Sequence, residues 1–385
     1  MSDDEECGRH PLAQFIEPAP CGSGLRRRYL DIPGGYLWWY VDLVDERGDG
    51  LVVIWSYGLP FLPGYAGAAR RCRGQTPRSR PSLNVATYRG GSLDFYLLQE
   101  YESDELRWRS SPRGDCWRFG DSRLYSLFDG QRRQVELDLR LDVPGIDEVV
   151  RLELRGEGKA VHRPGSTHQP LRKSHRPLLA HDWVPLVCAC DGEAILKVGG
   201  EETSFSGRLY HDRNAGALPF DELGLRRWMW GRFALSRGEV IYYLFEADDG
   251  QVAYALWSVD KKGRLQKVPA ASLERQQQQR NGFGLRWWST MTVDVAGLRW
   301  LDIEHRRVVD SGPFYLRTLS RAVDRRGRVY PGVSEVCEPD RNDRARHRPL
   351  VRMRVHRRGK KNSMWLPLFT GPRRGRVQRL IQSWI

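Results

Sequence analysis

Long apolar stretches are missing from this 385-residue chain: no run of eighteen apolar residues occurs, so no membrane-spanning helix is expected. The first residues are acidic, with Asp3, Asp4, Glu5 and Glu6 and no apolar segment behind them. That is not the pattern of a secretory leader, and a cytoplasmic protein is expected. Paired cysteines are missing as well. The seven cysteines are odd in number and scattered, and Cys188 and Cys190 alone make a poor zinc site, so reduced thiols are expected. There is no phosphate-binding glycine loop, no Gly-x-Gly-x-x-Gly after a strand and no Gly-x-Ser-x-Gly elbow. Nucleotide-dependent enzymes and serine hydrolases lose their support.

Present instead are rings and positive charge. Fourteen Trp and fifteen Tyr suit strands and the walls of apolar pockets. A net charge of +14, carried mostly by Arg, favours anionic partners. No nucleic-acid recognition module accompanies it, and nucleic acid is not expected as a partner.

Short strands separated by turn residues run through the chain. Residues 34–43 and 51–57 flank a turn at 45–50 and form a hairpin, as do 84–88 and 93–97 around Gly90 and Gly91. Residues 135–143 alternate strictly, the mark of a strand with one face to the core and one to water. Residues 66–82 and 156–182, rich in Gly, Pro and Arg, are expected as loops. His162, His168, His175 and His181 fall in the second of these at spacings that match no metal motif, so no metal is expected. A second strand series occupies 204–212, 228–236, 240–246, 251–259, 287–295, 298–304 and 314–323, with the Gln/Arg tract 275–280 as a surface loop. Two successive meanders predict an all-β chain of two tandem β-barrel or β-sandwich domains, 34–195 and 196–370, after a lead-in at 1–33. At 371–385 the period changes. Val377, Leu380, Ile381, Trp384 and Ile385 form one apolar stripe beside arginines. This short basic amphipathic helix either lies on an anionic membrane or docks on its own barrel.

An ordered set of blocks spans about 34–358. It comprises 35–42 with Trp38, Trp39 and Tyr40; 60–65; 84–88; 207–216 with Tyr210, Asp212 and Asn214; and 228–233 with Trp228, Trp230 and Arg232. The pair Tyr242 and Tyr243 follows, then 310–317 with Tyr315, 332–335 ending in Glu335, and 349–354. This set resembles the carotenoid 1,2-hydratase (hydroxyneurosporene synthase) family of the lipocalin-like superfamily. The resemblance implies tandem lipocalin-like β domains. It also implies addition of water to a terminal isoprenoid double bond of an acyclic carotene, with no redox cofactor.

Hydrating an unactivated alkene begins with protonation. That needs a carboxylic acid kept neutral by burial, and ring faces to stabilise the tertiary cation. Asp212 is the candidate acid, with Tyr210 and Asn214 on the same strand face to orient it. The structural alternative has Asp212 capping a turn or pairing with Arg213 or Arg232. Trp228 and Trp230 are the candidate cation-facing rings, with Arg232 on their face, whereas Trp38 and Tyr40 are expected in packing. Tyr242, Tyr315 and Glu335 are further substrate-binding candidates. The family pattern carries an Asp after the paired tyrosines. Here Leu244 follows Tyr243, and Glu246 is the candidate to take that Asp's place. The expected function is a cofactor-independent hydratase or cyclase acting on an isoprenoid polyene by acid-initiated protonation. The alternatives are a shape-driven pericyclic cyclase on a polyketide-type polyene, and a non-catalytic lipocalin-like carrier of an apolar ligand.

Overall fold

A computed structural model describes residues 17–18, 27–70, 74–111, 114–164 and 181–372. His168, His175 and the segment 373–385, with its apolar stripe, lie outside the described residues. The chain first forms β1 (Tyr36–Val44), β2 (Gly50–Tyr57), β3 (Pro81–Arg89), β4 (Ser92–Glu100), β5 (Leu106–Ser111), β6 (Gly114–Phe119), β7 (Ser122–Phe128), β8 (Arg132–Leu141), β9 (Val150–Lys159), β10 (Asp182–Val198) and β11 (Glu201–Gly216). It then forms β12 (Leu225–Leu235), β13 (Gly238–Ala247), β14 (Val252–Asp260), β15 (Leu265–Lys267), β16 (Ala271–Arg280), β17 (Arg286–Val295), β18 (Leu298–Ser311), β19 (Tyr315–Asp324) and β20 (Val329–Cys337). A last short strand, β21 (Val355–Arg357), returns to pair in parallel with β4.

These strands make a twelve-stranded sheet, in the order β21-β4-β3-β2-β1-β11-β10-β9-β8-β7-β6-β5, and a nine-stranded sheet, in the order β15-β14-β13-β12-β20-β19-β18-β17-β16. The chain is nearly all β, as the strand pattern predicts, and the two curled sheets form half-barrels. Among the described residues no helix is long and apolar enough to cross a membrane.

The chain changes sheet after β11, within 217–224. The boundary expected at 195/196 falls inside β10, because the polar tip joining β10 to β11 around Gly199 and Gly200 has the composition of a break. Two expected loops contain strands. Residues 275–280 belong to β16, whose exposed Gln/Arg side chains lie on a sheet edge, where polar residues discourage further pairing. Within 156–182, β9 continues to Lys159 and β10 opens at Asp182.

Burial explains which patterns were readable. β9 alternates buried and exposed from Val150 onward, the behaviour of a strand wet on one face. β1 and β13 are buried along their whole length. Trp39, Val41 and Leu43 of β1 fill the first half-barrel with Trp55 and Trp117, while Trp38 and Tyr40 turn toward the second sheet. Met229, Phe233, Tyr242 and Leu244 fill the second half-barrel. A third apolar layer therefore lies between the sheets, and the site is in it.

Candidate active site

A cavity of about 80 Å³ opens between the two sheets. One water requires about 10–15 Å³ of cavity space. The space therefore suits a few waters or the branched end of a chain, not a whole polyene. Trp38 and Tyr40 (β1), Ile54 (β2), Asp212 and Asn214 (β11), Trp228 and Trp230 (β12), Tyr243 (β13), Arg317 (β19) and Glu335 (β20) contribute to its wall. Leu59 and Phe61 join from the loop after β2. That loop turns at Gly58, with φ of 60°, where a Cβ would stand 2.3 Å from the Tyr65 hydroxyl. Phe61 lies 6.4 Å from Trp38 and from Trp228, and 5.6 Å from Phe314, between ring centroids.

Asp212 is 2 % exposed and is held by neutral donors. The Tyr210 hydroxyl donates to Oδ2 at 2.7 Å, and Trp183 Nε1 donates to the same oxygen at 3.0 Å. Asn214 Nδ2 donates to Oδ1 at 2.9 Å. Burial pushes the carboxyl up to about 7; the bonds from Tyr210 and Trp183 pull it back, and the Glu335 and Asp42 charges add to the rise. Asp212 is thus a carboxylic acid that keeps its proton close to neutral pH, on the wall of an aromatic cavity. The rings around it are in contact: Trp230 is 5.1 Å from Tyr40 and 5.5 Å from Tyr210, and Trp183 is 4.7 Å from Tyr243.

The expected pairings of Asp212 with Arg213 or Arg232 do not occur. Arg213 is the next residue along the strand and faces the other way. Arg232 bonds to Asp42, to Glu239 Oε1 at 3.1 Å and to the Arg208 carbonyl at 2.9 Å. It shares the face of Trp228 and Trp230, yet lies beyond the cavity wall. Tyr315 and Glu335 do line the cavity.

Two further substrate-binding candidates do not reach it. Tyr242 points into the second half-barrel, its hydroxyl 3.2 Å from His305 Nε2, while its neighbour Tyr243 takes the cavity face. Glu246 bonds to Arg227 and Arg275 and is not among the residues lining the cavity. Both corrections have one cause: β13 is buried on both faces, so burial alone does not tell which face meets the cavity.

Reading the sequence missed Trp183, Tyr243 and Arg317, and assigned Trp38 and Tyr40 to packing alone. Trp183 sits where β10 meets β11, opposite Asn214. Its signal was the dense apolar run from 183 to 190 directly after the loop expected at 156–182, a run with no simple period to say which face it presents. Beside it, His181 Nδ1 is 2.7 Å from the Tyr36 hydroxyl, and burial lowers the imidazole to about 3, so the ring is neutral. Among the described residues, no group of three or more His, Cys, Asp or Glu side chains is arranged to hold a metal ion.

The family model described as carotenoid hydratase CrtC matches residues 53–364. The chain belongs to this family. A relative from Chlorobaculum tepidum, named hydroxyneurosporene dehydrogenase, is 27% identical over 357 residues, covering 88% of this chain and 91% of the relative. The acyclic carotenoid 1,2-hydratase of Rubrivivax gelatinosus is 32% identical over 222 residues, 57% of this chain and 50% of that protein. The match therefore spans half of that hydratase's length. Among solved structures, an AttH protein of Nitrosomonas europaea superposes with a TM-score of 0.56 at 14% identity, covering 84% of this chain and 99% of its own. CghA in complex with Sch210972 superposes with a TM-score of 0.51 at 11% identity, covering 80% and 89%. At these identities the likeness is one of fold. It agrees with the two-half-barrel, lipocalin-like architecture.

Proposed function

We propose that this carotenoid hydratase family member adds water to, or closes a ring on, an isoprenoid polyene by protonating a terminal C=C bond. One observation carries the reading: Asp212 faces an aromatic cavity while bonded only to neutral donors. An ionised, cation-paired carboxylate has no proton to give. A buried, neutral one is a general acid.

In the proposed step the Asp212 proton passes to the CH carbon of the terminal double bond, and the π electrons form the new C–H bond. The positive charge then rests on the dimethyl carbon. Trp230 and Trp228 turn their negative faces to it, each face worth about 0.5–2 kcal/mol. Tyr210, Trp183 and Asn214 hold Asp212 before the transfer and stabilise the carboxylate after it. A water, or a second double bond of the same chain, then supplies the electron pair that quenches the cation, and a proton leaves. The acid and the cation-facing rings come from the chain itself, and no step of this reaction draws on a cofactor.

The test is incubation of an acyclic carotene, dispersed in detergent, with the purified protein in deuterated water, followed by mass spectrometry. Deuterium in a product heavier by one water, or in a cyclised isomer, is expected. A rearranged product without deuterium would replace acid initiation with shape-driven cyclisation, and return of unchanged carotene would leave a carrier.

A further inference from the structure

The cavity has a second carboxylate, built differently from the first. Glu335 lies on β20 in the sheet opposite Asp212, with Trp230 as its Cα partner on one side and Arg317 on the other. Its Oε1 accepts from Arg317 Nε at 2.9 Å. Arg317 is 1 % exposed and also donates to the Tyr88 hydroxyl at 2.6 Å, which fixes the guanidinium in place. An arginine held this firmly fixes the carboxylate in place by a charge-assisted hydrogen bond, and a carboxylate is a proton acceptor.

Two further buried polar atoms belong to residues of the same wall. Asn214 Oδ1 and Trp230 Nε1 have no hydrogen-bond partner in the protein. Buried polar groups are seldom left so, and a cavity water is their usual partner.

Resting on the acid-initiated reading above, we propose that Glu335 is the catalytic base that holds and deprotonates the water, with Arg317 as its positioning residue. The alkene enters between the sheets, taking its proton from Asp212 on one side and its oxygen from the Glu335 side. As the water oxygen bonds to the tertiary cation, one water proton passes to the Glu335 carboxylate. That proton returns to Asp212 through cavity water, so the net change is alkene plus water to alcohol. This division of labour separates proton donation from water capture. Glu335 therefore sets whether the cation becomes an alcohol or reverts to the alkene.

The experiment compares the wild-type protein with Glu335→Gln on an acyclic carotene ending in an isopropylidene group, in deuterated water. Two quantities are read: hydrated product, and deuterium in recovered carotene, which marks protonation followed by reversal. The variant is expected to lose hydration by about 100-fold or more while deuterium still enters the recovered carotene. Asp212→Asn is expected to lose both. Hydration at the wild-type rate in Glu335→Gln, or joint loss of hydration and exchange in a folded variant, would overturn the assignment. Glu335→Asp guards against misfolding: it keeps a charge for Arg317 but withdraws the carboxylate by one methylene. It is expected to raise the ratio of exchange to hydration by about tenfold, and an unchanged ratio counts against the assignment. Absence of both signals in the wild-type protein overturns the acid-initiated reading, and this assignment with it.

Discussion

Asp42 and Asp212 stand on neighbouring antiparallel strands, where Asp42 is opposite Tyr210 and Tyr40 is opposite Asp212. Both are almost fully buried. Around Asp42 the structure supplies charge: Arg232 bonds to it and to Glu239, whose Oε2 also accepts from the Ala189 backbone at 2.7 Å. Around Asp212 it supplies only the neutral donors of Tyr210, Trp183 and Asn214. Burial pushes both carboxyls upward, and at Asp42 the Arg232 guanidinium works against it. Equal burial thus yields two roles. The Arg232 cluster ties the sheets together through ion pairs, and the Asp212 cluster keeps a proton beside a cavity.

The sharpest test of this contrast is to remove each carboxyl in turn. Asp212→Asn is expected to lower turnover by ~10²–10⁴-fold, with a melting temperature close to wild type, read by product mass spectrometry and thermal unfolding. Comparable turnover in this variant would erase the distinction. Asp42→Ala leaves Arg232 short of a buried partner and is expected to cost about 3–5 kcal/mol of stability. Denaturant unfolding measures it, and turnover per folded molecule should change far less than for Asp212→Asn.

Proton affinity gives a third test. Since Asp212 must be protonated to act, kcat/KM is expected to fall about tenfold per pH unit above about 7. The effect on stability has a definite sign. Between the ordinary carboxyl value of 3.8 and about 7, the folded state holds a proton that the unfolded state has lost. Asp212 therefore contributes most stability below that window, and the contribution is lost as pH rises through it. Asp212→Asn should flatten the pH dependence of unfolding there, and an unchanged slope would show that another group titrates. The smallest effect concerns the rings. Trp230→Leu removes one cation-facing surface of about 0.5–2 kcal/mol, and kcat should fall by ~2- to 30-fold. A Trp39→Leu change, on the opposite face of β1 against Trp117, should instead register mainly in stability.

Much of the site was readable because a strand alternates. Tyr210, Asp212 and Asn214 fall on one face of β11 by spacing alone, and Trp228 with Trp230 on one face of β12. Alternation failed where both faces are buried. In β13 it could not choose between Tyr242 and Tyr243, and it left Glu246 as a candidate that Arg227 and Arg275 in fact occupy. Trp183 escaped because β10 carries register shifts between Pro185 and Cys190, so its apolar residues follow no simple period.

The all-β class, the family and the facial grouping around Asp212 were legible before any folding, because strand period and residue chemistry are local properties. Long-range packing put the cavity between the sheets. It alone brought Trp183 to Asp212, gave Arg232 to Asp42, and set Glu335 with Arg317 on the facing wall. Those choices depend on which buried face meets which, over separations from 29 residues of chain for Trp183 and Asp212 to 190 for Arg232 and Asp42. Desolvation and charge pairing, which separate an acid from an ion pair, exist only once those faces meet.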